Sequence, residues 1–186
     1  MVMTPLVAGV TYAMAVGTLL IHIALIVFIG VTIFSARWRE WLHERVGSHG
    51  VNISLAIVAA SLVGSLFYSE VAGFSACLLC WIIRVLVYPQ LLLLGAYLYK
   101  PQRRLLWITF VMSVLATVVS AYQVSLQSGG AAIINCAIVQ SLGSCETEYF
   151  RVFGYVTIAS MSLLSTAALA VCQGVVLHRK HWVTKS

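Results

Sequence analysis

Two cysteines separated by two residues, Cys77 and Cys80, are the clearest candidates for chemistry in this chain. With that spacing the two sulfurs can close a small ring, and one thiol of such a pair is often activated as a thiolate. Cys80 immediately precedes a predicted helix, whose N-terminus carries partial positive charge and favours a thiolate. Arg84 follows four residues later on the same helical face. An arginine near a helix end can instead reach the lipid headgroups, but the whole pattern favours thiol–disulfide exchange.

A second pair, Cys136 and Cys145, has eight residues between its members. That spacing suits a loop disulfide, which either staples the loop or exchanges with the first pair. Cys172 lies in a long apolar run and is expected to be a small packing residue. All-cysteine zinc sites usually contain two close pairs. Only Cys77 and Cys80 are that close, so no metal is expected.

The composition predicts that membrane helices position these cysteines. Of the 186 residues, 61% are hydrophobic and 9% are charged, which is more apolar surface than a soluble domain of this length can bury. The basic residues behind the net charge of +6 lie between apolar runs and do not form one patch. We therefore expect a lipid bilayer as partner, and no nucleic acid.

Five segments have the roughly 20 mostly apolar residues that a membrane-spanning helix needs. They are predicted at residues 6–34, 51–72, 81–99, 105–126 and 152–177. The first has no basic region before it and is too long for a cleaved signal peptide, so we expect a retained helix.

The basic residues orient these spans. Nine of the eleven Lys and Arg residues fall on one side of the membrane if there are five spans: Arg37, Arg39, Arg45, Lys100, Arg103, Arg104, Arg179, Lys180 and Lys185. By the positive-inside rule the N-terminus is outside and the C-terminus is cytoplasmic. The outward loops are then 73–80 and 127–151, which contain or adjoin all the cysteines except Cys172. A short surface helix is predicted over 131–140, after Gly129 and Gly130.

The residues around the first pair resemble the signature of the disulfide bond formation protein B family (DsbB and its BdbC-like relatives). In that family a Cys-x-x-Cys is followed by an aromatic residue, an arginine and often Tyr-Pro. This chain has Cys77-Leu-Leu-Cys80-Trp81-Ile-Ile-Arg84-Val-Leu-Val-Tyr88-Pro89. Residues 153–158 (Phe-Gly-Tyr-Val-Thr-Ile) are similar to the opening of the family's last span.

The resemblance covers about residue 51 to the end and implies an all-α integral membrane protein. We expect a DsbB-like four-helix membrane domain at 51–186. An extra N-terminal transmembrane helix and a cytoplasmic loop are expected at 1–50, with no role assigned to that helix.

The resemblance also implies a function, that of a thiol:quinone oxidoreductase in the bacterial cytoplasmic membrane. It would reoxidise an extracytoplasmic DsbA-like thiol oxidase and pass electrons to ubiquinone or menaquinone, supporting disulfide bond formation. Cys136 would form the mixed disulfide with the partner, Cys145 would be its pair, and Cys77 would exchange with that pair. Cys80 would face the quinone, with Arg84 near the quinone ring.

One position departs from the family in a way that affects the quinone site. The family commonly has a histidine near the end of the span before the second loop, and Gln123 holds that position here. Gln123 is therefore a candidate quinone contact, with its detailed contacts left open.

Other classes of protein remain as alternatives. A vitamin K epoxide reductase-like protein has similar chemistry, but in that family the loop cysteines precede the Cys-x-x-Cys. A non-catalytic membrane subunit would use both pairs as structural disulfides. A carrier of electrons across the membrane would need a cysteine pair near the cytoplasm, where only Cys172 is available.

Overall fold

Five long helices follow one another in a computed structural model that describes residues 4–34, 36–130, 145 and 147–183. They are α1 (Pro5–Phe34), α2 (Ala36–Leu66), α3 (Leu78–Tyr99), α4 (Arg103–Gln127) and α5 (Ile158–Val183). A π-helical turn, Phe67–Val71, continues α2. Each helix contains a stretch long and apolar enough to cross a membrane. No strand occurs among the described residues, so the prediction of an all-α membrane protein with five spans is confirmed.

Helices α2 to α5 form a bundle around an apolar core that includes Val58, Leu94, Leu106 and Leu169, all fully buried. A polar network crosses this core. The Ser113 hydroxyl lies 3.0 Å from the side-chain oxygens of Gln90 and Gln173, and the Gln173 amide donates to Gln90 at 3.0 Å. Because lipid offers no hydrogen-bond partner, such contacts fix the register of α3, α4 and α5.

Helix α1 packs on the outside of this bundle, against α2 and α5. Near its N-terminus, Val7 is buried in a cluster with Tyr68 and Phe74. That cluster lies at the end of the bundle where α2 ends and α3 begins. We call this the thiol end, because Cys77 and Cys80 lie there.

Three predicted boundaries are wrong. Residues 36–50, expected to be a loop between the first two spans, are the start of α2. This segment contains no proline, and Arg, Glu and Trp make up seven of its fifteen residues, all of which tolerate or favour helix. The third span also begins earlier than residue 81, since Leu78–Cys80 form its first turn.

The fifth span begins at Ile158 instead of residue 152. Before it, Val152 and Val156 form an isolated bridge, and the turn between them needs positive φ at Phe153 (51°) and Gly154 (79°). Thr157 then caps α5, because its side chain accepts from the Ser160 N–H (3.3 Å) and its own N–H donates to the Ser160 hydroxyl (2.8 Å). This reciprocal capping starts the helix after residue 157. The surface helix predicted over 131–140 lies outside the described residues.

Candidate active site

Cys77 and Cys80 form a close pair of free thiols at the start of α3. Their Sγ atoms lie 2.9 Å apart. Cys77 is the N-cap residue of the helix, with an extended backbone, and its Sγ accepts the backbone N–H of Cys80 at 3.4 Å. The helix itself therefore holds the two sulfurs within reach of each other. Cys80 lies in the first turn of α3, not before it as expected from the sequence.

The two sulfurs have unequal surroundings. Cys77 is only 3% exposed, and its hydrogen bond with Cys80, followed by burial, raises the pKa of the Cys77 thiol well above its ordinary range. Cys77 therefore holds its proton more tightly than a free cysteine, and either sulfur can be the donor in the contact between them. Cys80 also accepts a hydrogen bond from the Gln123 side-chain amide at 3.3 Å. The contacts thus favour negative charge on Cys80.

Gln123 connects α4 to both sulfurs. It is 4% exposed, and its Nε2 atom lies 3.3 Å from Cys80 Sγ and 3.6 Å from Cys77 Sγ. Its role as a quinone contact stays a prediction.

Arg84 lies one turn beyond Cys80 and is held by α2. Its Nε donates to the Ser65 hydroxyl at 2.9 Å, and its Nη2 donates to the Ser65 carbonyl (3.2 Å) and to the Ser69 hydroxyl (3.1 Å). The guanidinium carbon also lies 5.2 Å from the centre of the Trp81 ring, within the range of a cation–π interaction. These neutral partners fix the guanidinium in position without cancelling its charge.

An apolar cavity of about 620 Å³ lies between α1, α2, α3 and α5, and Cys80, Arg84 and Gln123 all line it. Most of the remaining lining is aliphatic or small, including Ile53, Ile57 and Ala60 of α2. The cavity therefore has a few polar groups gathered beside a reactive sulfur and an apolar remainder, which is the usual character of a small-molecule site.

A second, much smaller cavity of about 30 Å³ also borders the sulfurs. Cys77, Cys80 and Gln123 line it together with Gln127 and Glu148. Cys80 thus lines both the large apolar cavity and a small cavity that has polar side chains in its wall.

Cys145 is buried in the same apolar cluster as Cys77 and Leu79, at 2% exposure. It is disulfide-bonded. Its predicted pair, Cys136, lies outside the described residues. Cys172 is a free, half-buried cysteine of α5, consistent with the packing role expected for it.

The chain on either side of the thiols is fastened by aromatic contacts. Phe74 stacks on Tyr149, with ring centres 4.3 Å apart, and on Tyr68 at 5.8 Å. The Tyr149 hydroxyl donates to the Ser75 carbonyl at 2.9 Å. The segment before Cys77 and the segment after Cys145 are thereby held against each other. Among the described residues, no group of three or more possible metal-ligating side chains occurs.

A membrane bundle that holds a pair of free thiols against an apolar cavity defines a membrane protein of thiol–disulfide chemistry. The comparisons with known proteins make the class specific. The family model described as "Disulfide bond formation protein DsbB" matches residues 48–176. The chain therefore belongs to the DsbB family, as the resemblance indicated, and is a disulfide-formation membrane protein.

Curated relatives carry the same description. "Probable disulfide formation protein C 2" of Bacillus cereus is 29% identical over 133 residues, covering 71% of this chain and 91% of the relative. "Probable disulfide formation protein C 1" of the same organism is 32% identical over 121 residues, covering 63% and 84%. "Disulfide bond formation protein C" of Bacillus subtilis is 29% identical over 114 residues, covering 60% and 80%. No solved structure matches the chain.

Some residues of the site were not predicted from the sequence. Ser65 and Ser69 are spaced to share a helical face toward Arg84, but serines in apolar helices are common and gave no distinctive signal. The contribution of α1 to the cavity was also missed, because an almost uniformly apolar helix does not indicate which face packs on the bundle.

Proposed function

We propose that this chain is a membrane thiol:quinone oxidoreductase that reoxidises an extracytoplasmic DsbA-like thiol oxidase. The observation that carries the proposal is the position of Cys80, whose sulfur contacts Cys77 and Gln123 and also lines the apolar cavity. A dithiol that touches a lipid-type cavity can exchange with protein disulfides on one side and with a lipid-soluble oxidant on the other.

The residues present fit a quinone, either ubiquinone or menaquinone. Arg84 and Gln123 are donors at the cavity wall, suited to the two carbonyl oxygens of a quinone ring, and the aliphatic remainder suits an isoprenoid tail. When bound, a quinone supplies an acceptor for two electrons and two protons. The chain's own contribution is to hold Cys80 beside that acceptor and to stabilise negative charge on the Cys80 sulfur.

Electrons would reach Cys80 by two successive disulfide exchanges. The partner's thiolate would attack Cys136 and open the proposed Cys136–Cys145 disulfide, forming a mixed disulfide. The partner's second thiol would then attack this mixed disulfide, which leaves the partner oxidised and the loop pair reduced. The loop dithiol would then reduce the Cys77–Cys80 disulfide by attack on Cys77, so that Cys80 leaves as the thiolate. Over the whole sequence one partner dithiol becomes a disulfide, and two electrons and two protons pass to the quinone.

The need for a strong acceptor follows from reduction potentials. DsbA-type oxidases have potentials near −120 mV, whereas structural disulfides typically lie below about −300 mV. The gap of roughly 180 mV corresponds to about 8 kcal/mol for two electrons. An ordinary disulfide therefore could not reoxidise such a partner, and a quinone drawn from the membrane supports the reaction.

The orientation belongs to the same proposal. With the N-terminus outside and the C-terminus in the cytoplasm, the thiol end faces the exterior or periplasm of a bacterial cytoplasmic membrane, where disulfides persist. The nine basic residues that the positive-inside rule gathers on the opposite side support this orientation.

Purified protein tests the proposal directly. With a reduced DsbA-like protein and a short-chain ubiquinone or menaquinone, the wild type should oxidise the partner and reduce the quinone in equal amounts. Cys80→Ala should abolish quinone reduction, whereas Cys172→Ala should retain it. Full quinone reduction by Cys80→Ala would overturn the mechanism.

A trapping experiment tests the assignment of the loop cysteines. Wild-type protein incubated with a reduced partner variant that keeps only its attacking cysteine should accumulate a mixed disulfide through Cys136, because Cys145 leaves as a thiol and the partner has no second thiol to resolve the bond. Peptide mapping identifies the linked cysteine. A mixed disulfide through Cys77 instead would reverse the assigned roles.

A further inference from the structure

Helix α1 lies outside the part of the chain that the family match explains. The match begins at residue 48, whereas α1 is Pro5–Phe34. Yet four residues of α1 line the cavity beside Cys80: Met14, Gly17, Thr18 and Ile21. Their spacing of three, four and seven residues puts them on one face of the helix. One face of this additional helix is therefore built into the site.

We propose that α1 forms the wall of the quinone cavity that encloses the isoprenoid tail, and that it thereby determines which tails the site accepts. This inference rests on the proposed function, since it concerns the same cavity. The occupant is a quinone because the polar groups and the reactive sulfur are gathered at one place on the cavity wall.

The cavity is elongated, which suits a ring with a long tail. Along α2 and the π-helical turn that continues it, the lining runs from Ser69, beside Arg84, to Ile53. These residues are 16 positions apart, which is about 24 Å along a helix. The ring-binding groups lie at the Ser69 end, so the Ile53 end is left for an apolar chain.

Helix α1 is held against the rest of the chain at several points along its length. Val7 is buried with Tyr68 and Phe74 at the thiol end. Further along, the rings of Tyr12 and Phe153 lie 5.8 Å apart, and those of His22 and Tyr155 lie 5.6 Å apart. These contacts bracket the four lining residues, so the wall they form has a fixed position.

The space between α1 and α2 is kept open by small residues. A Cβ added at Gly17 would meet nothing within 4 Å. On the facing side, a Cβ at Gly64 would meet the Met14 side chain at 3.4 Å. The Thr18 hydroxyl donates to the Met14 carbonyl at 2.8 Å. A ligand in the cavity therefore does not need to accept a hydrogen bond from Thr18. A larger side chain at Gly17 would therefore enter the cavity without displacing backbone.

Gly17→Phe and Gly9→Phe form a matched pair of variants for the test. Gly9 is an exposed residue of the same helix that does not line the cavity, and a Cβ there also meets nothing. With full-length purified protein, Gly17→Phe should raise the KM for a quinone with a decyl or longer tail about tenfold, the affinity carried by roughly two buried methylene groups. The KM for a quinone with a tail of one isoprene unit should change less than twofold. Gly9→Phe should match the wild type with both quinones.

Photolabelling provides a second measurement that needs no variant. A quinone with a photoreactive group on its tail should label wild-type α1 between Met14 and Ile21, and excess long-tailed quinone should suppress the label. Label confined to residues 48–176, or equal KM values for Gly17→Phe and Gly9→Phe, would overturn the role of α1. Label at Met14, Gly17, Thr18 or Ile21 by a photoreactive phospholipid that quinone does not displace would also overturn it. Failure of the wild type to reduce any quinone would instead refute the proposed function.

Discussion

Replacing Gln123 by leucine tests how the bundle tunes its thiol pair. Leucine is similar in size and apolar, so the packing of this buried position is largely kept while both N–H···S contacts are lost. These contacts stabilise the reduced pair, in which a sulfur carries negative charge. A disulfide carries no charge and is only a weak acceptor. The substitution should therefore destabilise the reduced form more than the oxidised form.

The size of the effect follows from the hydrogen bonds. A hydrogen bond to a charged group contributes about 1.5–3 kcal/mol. For a two-electron couple this range corresponds to about 30–65 mV. The reduction potential of the Cys77–Cys80 pair should fall by that amount in Gln123→Leu, making the pair a weaker oxidant.

The assay is a redox titration of purified protein without quinone. Samples equilibrated in graded dithiol–disulfide buffers are quenched in acid and alkylated, and peptide mass spectrometry gives the reduced fraction of Cys77 and Cys80 separately from the other cysteines. Gln90→Leu is the matched control, because Gln90 is a fully buried amide with no sulfur contact. An unchanged or higher potential in folded Gln123→Leu protein would refute the reasoning.

Three further outcomes are expected. Since its pKa is raised, Cys77 should be alkylated appreciably only at pH values above the range of a free cysteine. Mass spectrometry across a pH series should show the alkylation rate of Cys77 rising there. Equal alkylation rates in native and denatured protein at pH 8 would contradict this. Ser69→Ala removes one hydrogen bond to Arg84 and should raise the quinone KM about two- to tenfold, as expected for about 0.5–1.5 kcal/mol, with kcat unchanged. Ser128→Ala, whose hydroxyl donates to the Val124 carbonyl of α4, should leave the KM unaltered. Gly50→Ala should lower the free energy of unfolding by about 1–3 kcal/mol, because the added Cβ would lie 2.5 Å from a Val176 methyl group. A melting curve like that of the wild type would instead show that α2 and α5 can separate at this position.

The sequence predicted the parts of this site that local spacing determines. The Cys-x-x-Cys at a helix start and an arginine one turn later are fixed by helical geometry, and the structure has Cys80 and Arg84 on one cavity. Contacts between distant parts of the chain were harder to predict. The resemblance marked Gln123 as a candidate quinone contact without predicting its approach to the sulfurs, and nothing in the sequence pairs Ser65 with Arg84.

The boundaries that failed have a common physical reason. Hydropathy marks where the chain can leave the lipid, whereas hydrogen bonding determines where each helix begins and ends. Residues 152–156 are apolar enough to extend the last span, but Gly154 and the capping by Thr157 impose a turn before it. Residues 36–50 are too polar for lipid and are nevertheless helical, because a helix satisfies its own backbone in water as well as in a bilayer.

The network of Gln90, Ser113 and Gln173 has a consequence for how the protein is made. During synthesis α3 and α4 enter the membrane before α5 has left the ribosome. Until then Gln90 has its bond to the Leu86 carbonyl of its own helix and can meet Ser113, but its partner in α5 is missing. Insertion of α5 brings Gln173 to Gln90 and Ser113. The last of these three helices to be inserted therefore fixes the register of the other two. Chains truncated before α5 should accordingly remain loosely assembled and be exposed to membrane quality-control proteases.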